Sequence, residues 1–364
     1  MRNFKYRMSN IALMLMIISA LPISSTMAID SQATITTTHY VYLPIVMNRY
    51  NSPPPTTISH YISWGQSDLT YQRFYDMGKT LGQSVPSGFW GYVILQFGQP
   101  WKEGQVYKIR DYAYVTMTIS DVEYFTKGYL KGFYDYSPSD AFLITVVGLT
   151  NQGSYFYNDP QGFGYAWGTM ISNIVNWINT PPSYAGKLAI AGGIDNELGW
   201  NNANKSLSWK YAYIANASRF YLYYGNCDSC PYEDQPDWSP EPLGWTLEQV
   251  YEMSNGASSY ALPQIYRTDR QHAEQWYYLS LYIYLQGQEP IGFMGSLTQW
   301  SACSEVGGCS SGYPDATDNT PGQGWEQLWG EISSYPRTSQ SRMGIPFDLP
   351  VSTDISWNHW RVTP

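Results

Sequence analysis

The stretch Leu188-Ala-Ile-Ala-Gly-Gly-Ile-Asp-Asn-Glu-Leu-Gly-Trp200 carries the most specific chemistry in the chain. An apolar, glycine-containing run ends in Asp195-Asn196-Glu197, and Trp200 follows closely. The pattern predicts a buried strand that delivers two carboxylates at its C-terminal end. Alternate residues of a strand share a face, so Asp195 and Glu197 point the same way, with Cα atoms about 6.5–7 Å apart. A carboxylate pair at a strand end suits general acid–base chemistry at a glycosidic bond. On that reading Glu197 is the general acid. Apolar surroundings and the neighbouring carboxylate raise its pKa, and Asp195 stays ionised beside it. The plainer readings are a solvated turn after a core strand, or a helix N-cap.

Other polar and aromatic residues fall just after strand-like runs. They are Trp64 and Asp68, Gln96, Asn151, Trp200, Gln264 and Tyr266, and Gln299 and Trp300. Together they form a candidate substrate-binding set. The amides and Tyr266 would orient a ligand, and the tryptophans would form a stacking floor. Each aromatic alone reads more readily as core packing than as a sugar platform, and Asp68 equally as a helix N-cap. The four histidines, at 39, 60, 272 and 359, are scattered. That spacing speaks against a histidine metal site or a Ser-His-Asp triad, and His272 reads as a surface residue of a helix. No glycine-rich phosphate loop follows a strand. The expectation is therefore no metal and no cofactor.

These residues need a scaffold that brings many strand ends together. Seven or eight strand patterns alternate with six or seven helical ones between residues 59 and 335. Phe89–Phe97, Ala141–Gly148, Leu188–Ile194, Tyr260–Tyr266 and Ile291–Leu297 read as strands. Leu69–Leu81, Gly164–Ile178, Leu207–Ala217, Trp245–Met253, Arg270–Leu285 and Trp325–Ile332 read as helices. Ser120-Asp-Val-Glu123 reads as a capping box opening a helix to about Phe133. Such alternation implies parallel strands with helical crossovers. The fold expected is an α/β single domain, a (β/α)8 TIM-barrel-like architecture, in which all strand ends meet at one mouth. A doubly wound open sheet is the alternative.

Composition narrows the partners. Of 364 residues 43% are hydrophobic but only 13% charged, and polarity comes instead from 34 Tyr, 15 Trp and many neutral side chains. The net charge is −9 with no basic run, which argues against nucleic acid and anionic membranes. Sugars, which stack and accept hydrogen bonds, suit such a surface. Residues 1–28 have the positive, apolar and small-residue regions of a secretory signal peptide, with cleavage after Ala28. A retained N-terminal anchor is the alternative. No other segment is long and apolar enough to span a membrane. Residues 29–58 read as a Ser/Thr/Pro-rich linker, 59–335 as the barrel domain and 336–364 as an irregular C-terminal tail. Cys227, Cys230, Cys303 and Cys309 form two close pairs, which an oxidising compartment would join as disulfides. Local pairing is simplest, cross-pairing is the variant, and a zinc site fits the spacing less well.

At Gly193-Ile-Asp195-Asn-Glu197 the chain resembles the fourth-strand Asp-x-Glu signature of family 18 chitinases and family 25 lysozymes. Leu262-Pro-Gln-Ile-Tyr266 and Leu297-Thr-Gln-Trp300 are loosely similar to later strand ends in those families. The region from 90 to 330 more closely resembles uncharacterised secreted bacterial proteins, a likeness that brings no known activity. The likeness implies a barrel acting on N-acetylated glycans. It departs upstream, where the fuller chitinase pattern has further acids and this chain has Ala189, Ala191 and Gly193. Many barrel glycosidases also place a glutamate at the end of strand seven, where this chain has Gln299. The expectation is a secreted, extracellular glycoside hydrolase-like protein using substrate-assisted chemistry on a polysaccharide or cell-wall glycan. The alternative is a non-catalytic glycan-binding barrel.

Overall fold

The computed structural model of the chain describes residues 52–181, 183–217, 219–232, 244–256, 259–308, 319–334 and 349–357. The signal-peptide reading, most of the linker and Cys309 lie outside these residues.

The barrel begins at β1 (Thr57–Tyr61), and Thr70 caps the next helix, α1 (Tyr71–Ser84), by accepting from Arg73 N. β2 (Trp90–Gln96) follows, parallel to β1. A small antiparallel sheet then interrupts the alternation: β3 (Gln99–Glu103), β4 (Val106–Arg110) and β5 (Thr116–Thr118). α2 (Ile119–Tyr136) leaves directly from β5, so Thr118 and Asp121 form its capping box. That box sits before the Ser120/Glu123 pair expected from sequence. Glu123 instead pairs with Lys127 one turn on, at 2.6 Å.

β6 (Phe142–Thr150) is almost wholly buried, as a near-continuous apolar run between covered faces should be. The short α3 (Ser154–Asn158) and α4 (Pro160–Asn179) follow it, Asp159 capping α4. Then come β7 (Leu188–Asp195), α5 (Ala203–Asn216), β8 (Tyr221–Tyr223) and α6 (Leu247–Ser254). The chain continues through β9 (Ser259–Ala261), α7 (Gln271–Leu285), β10 (Gly295–Thr298), α8 (Trp300–Glu305), α9 (Pro321–Ser334) and β11 (Val351–Ser356). Among the described residues no helix is long and apolar enough to cross a membrane.

Eight strands form one parallel sheet in the order β10-β11-β1-β2-β6-β7-β8-β9. Parallel bridges at Ala261–Phe293 and Gln264–Leu297 tie the β9 side to the β10 side, leaving a nearly closed TIM-barrel-like ring. The order follows the chain without reversal, so the doubly wound alternative falls. One boundary is corrected. The segment after 335, expected as an irregular tail, supplies the eighth strand, β11. Its pattern hid this because hydroxyls replace apolar side chains at its seam with β1. There Ser59 Oγ lies 2.8 Å from Thr353 Oγ1, which in turn donates to Thr57 O at 3.2 Å.

Outside the ring, α1 and α2 pack backbone to backbone. A Cβ at Gly78 would sit 1.9 Å from Tyr129 O, and one at Gly132 1.9 Å from Tyr75 O.

Candidate active site

β7 ends at Asp195, and the next two residues carry the chain over the barrel mouth. Asn151, just past β6, fixes this exit. Its Nδ2 donates to Asn196 Oδ1 (3.0 Å) and Glu197 O (2.9 Å), and its Oδ1 accepts from Glu197 N (3.1 Å). Asn151 thus spends its amide on the loop, in a positioning role rather than the ligand contact expected. Tyr223 OH closes the other side on Asn196 O (3.1 Å) and Asn226 O (2.8 Å).

The two carboxylates meet inside a shell of neutral donors. Gln264 Nε2 bridges them, 2.8 Å from Asp195 Oδ1 and 3.0 Å from Glu197 Oε1. Gln96 Nε2 donates to Asp195 Oδ2 at 3.4 Å, and Tyr224 OH to Gln96 Oε1 at 2.8 Å. Asn226 Nδ2 donates to the second Glu197 oxygen. Neither acid is ion-paired among the described residues, and no group of His, Cys, Asp or Glu there could hold a metal.

Burial raises the Asp195 pKa well above the carboxylate range, and repulsion from Glu197 adds to it. Burial also raises Glu197. The pair therefore titrates as a unit and holds a proton to higher pH than a free carboxylate. Asp195 is the deeper of the two, and the pair holds its proton in common. Tyr61, Tyr112, Tyr224 and Tyr266 surround the pair. Burial and the Asp195 charge push their hydroxyls up, so all four remain protonated donors. The buried Tyr266 hydroxyl approaches Tyr61 but completes no hydrogen bond.

Gly193 explains the missing upstream acid. A Cβ there would lie 2.5 Å from Val146 Cγ1 and 2.7 Å from the Tyr224 ring. The Tyr224 ring occupies the volume a side chain at 193 would need.

The other expected residues divide. Trp64 is only 7% exposed and packs on Phe74 at 5.0 Å, beneath the Arg73 guanidinium, so it is core and no stacking floor. Asp68 pairs with Arg73 at 2.8 Å, and the N-cap reading of it falls because Thr70 caps the helix. Trp200 and Trp300, 42% and 40% exposed, follow β7 and β10 at the rim. Gln299 stands just before α8 on the same rim. His272 is no surface residue. Its Nδ1 accepts from Tyr266 N at 3.1 Å, and burial lowers its pKa to about 4, so it stays neutral and props that tyrosine. Cys227 and Cys230 form a disulfide, and Cys303 is also disulfide-bonded.

Sequence reasoning missed Tyr61, Tyr112, Tyr224, Asn226 and Trp357. Trp357, just past β11, stacks on Tyr61 at 4.2 Å and meets Tyr112 edge-on at 5.0 Å. Its signal was present: Ser356-Trp357 repeats the polar–aromatic ending seen after other strands.

Neither a protein-family model nor a curated protein matches the sequence. Two solved structures are similar in shape. A sugar phosphate isomerase/epimerase from Parabacteroides distasonis aligns over 87% of this chain and 90% of its own, at 10% identity and a TM-score of 0.38. A GH18 chitinase from Pseudoalteromonas aurantia aligns over 83% of this chain and 94% of its own, at 12% identity and a TM-score of 0.34.

Proposed function

We propose that the chain is a secreted barrel glycoside hydrolase acting on a polysaccharide that contains N-acetylhexosamine. The observation that carries this reading is the buried Asp195–Glu197 pair, bridged by Gln264 and held only by neutral donors. A carboxylic acid kept protonated near neutral pH is what leaving-group protonation requires. When substrate fills the mouth, the shared proton passes to Glu197, which gives it to the glycosidic oxygen as the C1–O bond breaks. The substrate's own acetamido oxygen bonds to C1, and Asp195, now ionised, accepts from the acetamido N–H. Water then opens the ring intermediate, returning a proton to Glu197. On this reading the Tyr266 hydroxyl, which has no hydrogen-bond partner among the described residues, donates to the same acetamido group, and Trp357 stacked on Tyr61 is the floor for the sugar.

A second reading, a glycan-binding barrel without turnover, draws on Gln299 at the seventh strand end and on the closed volume at Gly193. One assay separates the two. Protein from residue 29 onward is tested for sugar release from chitin, peptidoglycan and common plant and bacterial polysaccharides. The hydrolase reading expects release that falls by about a thousandfold in Glu197→Gln, the scale of a lost general acid. Binding of a glycan with no release from any substrate establishes the second reading instead.

A further inference from the structure

The small β3–β5 sheet stands on the mouth side of the barrel, after the C-terminal end of β2. Gln99, Trp101 and Arg110 share one face of it, because Gln99 pairs with Arg110 and Trp101 with Lys108 across β3 and β4. The opposite face holds the buried Ile109 and Met117. The Arg110 guanidinium lies 4.3 Å from the Trp101 ring and 5.4 Å from the Tyr114 ring. Trp101 is itself braced by Tyr155 of α3 at 4.5 Å. Gln99, its amide turned oxygen inward, accepts from Arg110 Nη2 (2.7 Å) and Nε (3.2 Å). Among the described residues no acceptor meets Nη1.

Two features mark this cluster. Arg110 makes no ion pair among the described residues, so its charge meets only the Gln99 oxygen and the two rings. Tyr114 is held in a left-handed backbone conformation (φ +64°) with its ring 76% exposed. Buried Asp111 enforces that turn by accepting from Ala113 N (2.9 Å) and Val115 N (2.8 Å). A non-glycine residue rarely adopts this conformation, and here the surroundings impose it on an exposed aromatic. The same turn sends Tyr112 against Tyr61, 5.1 Å away in the mouth, so the cluster is geared to the site.

We propose that the Trp101–Arg110–Tyr114 cluster is a distal subsite that takes a carboxylate-bearing sugar of the glycan chain. The open Tyr114 face stacks the pyranose ring, and the pre-oriented guanidinium binds the carboxylate through charge-assisted hydrogen bonds. The proposal rests on the glycan reading above and names the chemical class of its substrate. A protein with a net charge of −9 needs such a local cation to accept an acidic polymer.

The test measures binding in the Glu197→Gln protein, so that turnover does not intrude. The probes are oligogalacturonate, de-peptidated oligomers of N-acetylglucosamine and N-acetylmuramic acid, and neutral chito-oligosaccharides. At least one acidic oligomer should bind about tenfold more tightly than the neutral ones, with a preference that shrinks as salt rises. Arg110→Gln should abolish the preference, and Arg110→Lys should restore part of it. Tyr114→Ala, at an exposed ring that cannot unfold the sheet, should weaken acidic and neutral oligomers alike. Equal affinity for acidic and neutral oligomers, a preference that survives Arg110→Gln, or no binding of any oligomer overturns the subsite. Hydrolysis by the wild type that is lost in Glu197→Gln still upholds the glycosidase reading in each of these cases.

Discussion

Asp195 and Asp354 are both buried aspartates near the C-terminal ends of barrel strands, one on β7 and the other on β11, across the ring. Their surroundings are opposite. Asp354 accepts from Thr298 Oγ1 at 2.6 Å and from Trp300 N and Ser301 N at 2.8 Å, which pins the start of α8. Backbone N–H groups at a helix start favour an anion. Asp195 receives only side-chain amides and has Glu197 pressed beside it. Burial alone therefore does not mark a functional acid. The supply of donors does, because a well-supplied buried carboxylate is a structural anchor and a poorly supplied one holds its proton.

The strongest way to break this contrast is to remove the anchor. Asp354→Ala leaves three donors unmet, two of them backbone groups at the start of α8. The expected loss is about 2–4 kcal/mol of stability, seen as a thermal midpoint lowered by roughly 5–10 °C. An unchanged midpoint would show that α8 holds itself, and Asp354 would join the candidates for chemistry.

Asp195→Asn should move stability the other way. The Asp195 pKa is raised in the folded protein, so the folded state binds more protons than the unfolded one. Stability from this group is then complete at acid pH and is lost as pH rises from the ordinary carboxylate value toward the raised one. The asparagine variant escapes that loss. It should match wild type near pH 4 and exceed it by about 1 kcal/mol near pH 8. Thermal unfolding across that range checks it. A difference that does not grow with pH would mean that Asp195 is ionised in the folded protein and that the pair shares no proton.

The contrast also explains what the sequence revealed. Asp195 and Glu197 were legible because a long apolar run ending in two acids leaves few bland readings. The ring was legible in its first seven strands, where apolar runs alternate with helical periodicity. β11 was not, since Ser352, Thr353, Asp354 and Ser356 are buried through hydrogen bonds to neighbouring elements rather than apolar character. The β3–β4 hairpin escaped notice because its charged residues, Lys102, Glu103 and Lys108, look like loop residues, although Lys108 pairs with Glu103 across the strands. Trp64 misled because an aromatic just after a strand serves the core as readily as the mouth. Only its contact with Phe74 decides between them.

The two exposed tryptophans offer the finest distinction within the site. Trp200 and Trp300 follow strand ends as Trp64 does, yet they present open faces at the rim. If they are platforms, replacing either with alanine should change stability by less than about 0.5 kcal/mol, the usual range for exposed positions. Glycan affinity should fall about two- to fivefold, the scale of one exposed stacking contact. Trp300 should show the larger change, because the backbone bond from Trp300 N to Asp354 fixes the start of α8 and hence the direction of its ring. Titration of chito-oligosaccharides of increasing length into both variants would locate each platform. A loss that appears only with longer oligomers places that tryptophan away from the Asp195–Glu197 pair, and a loss already present with the shortest places it beside them. Unchanged affinity at every length would return both rings to the ordinary surface and leave Trp357 as the floor of the mouth.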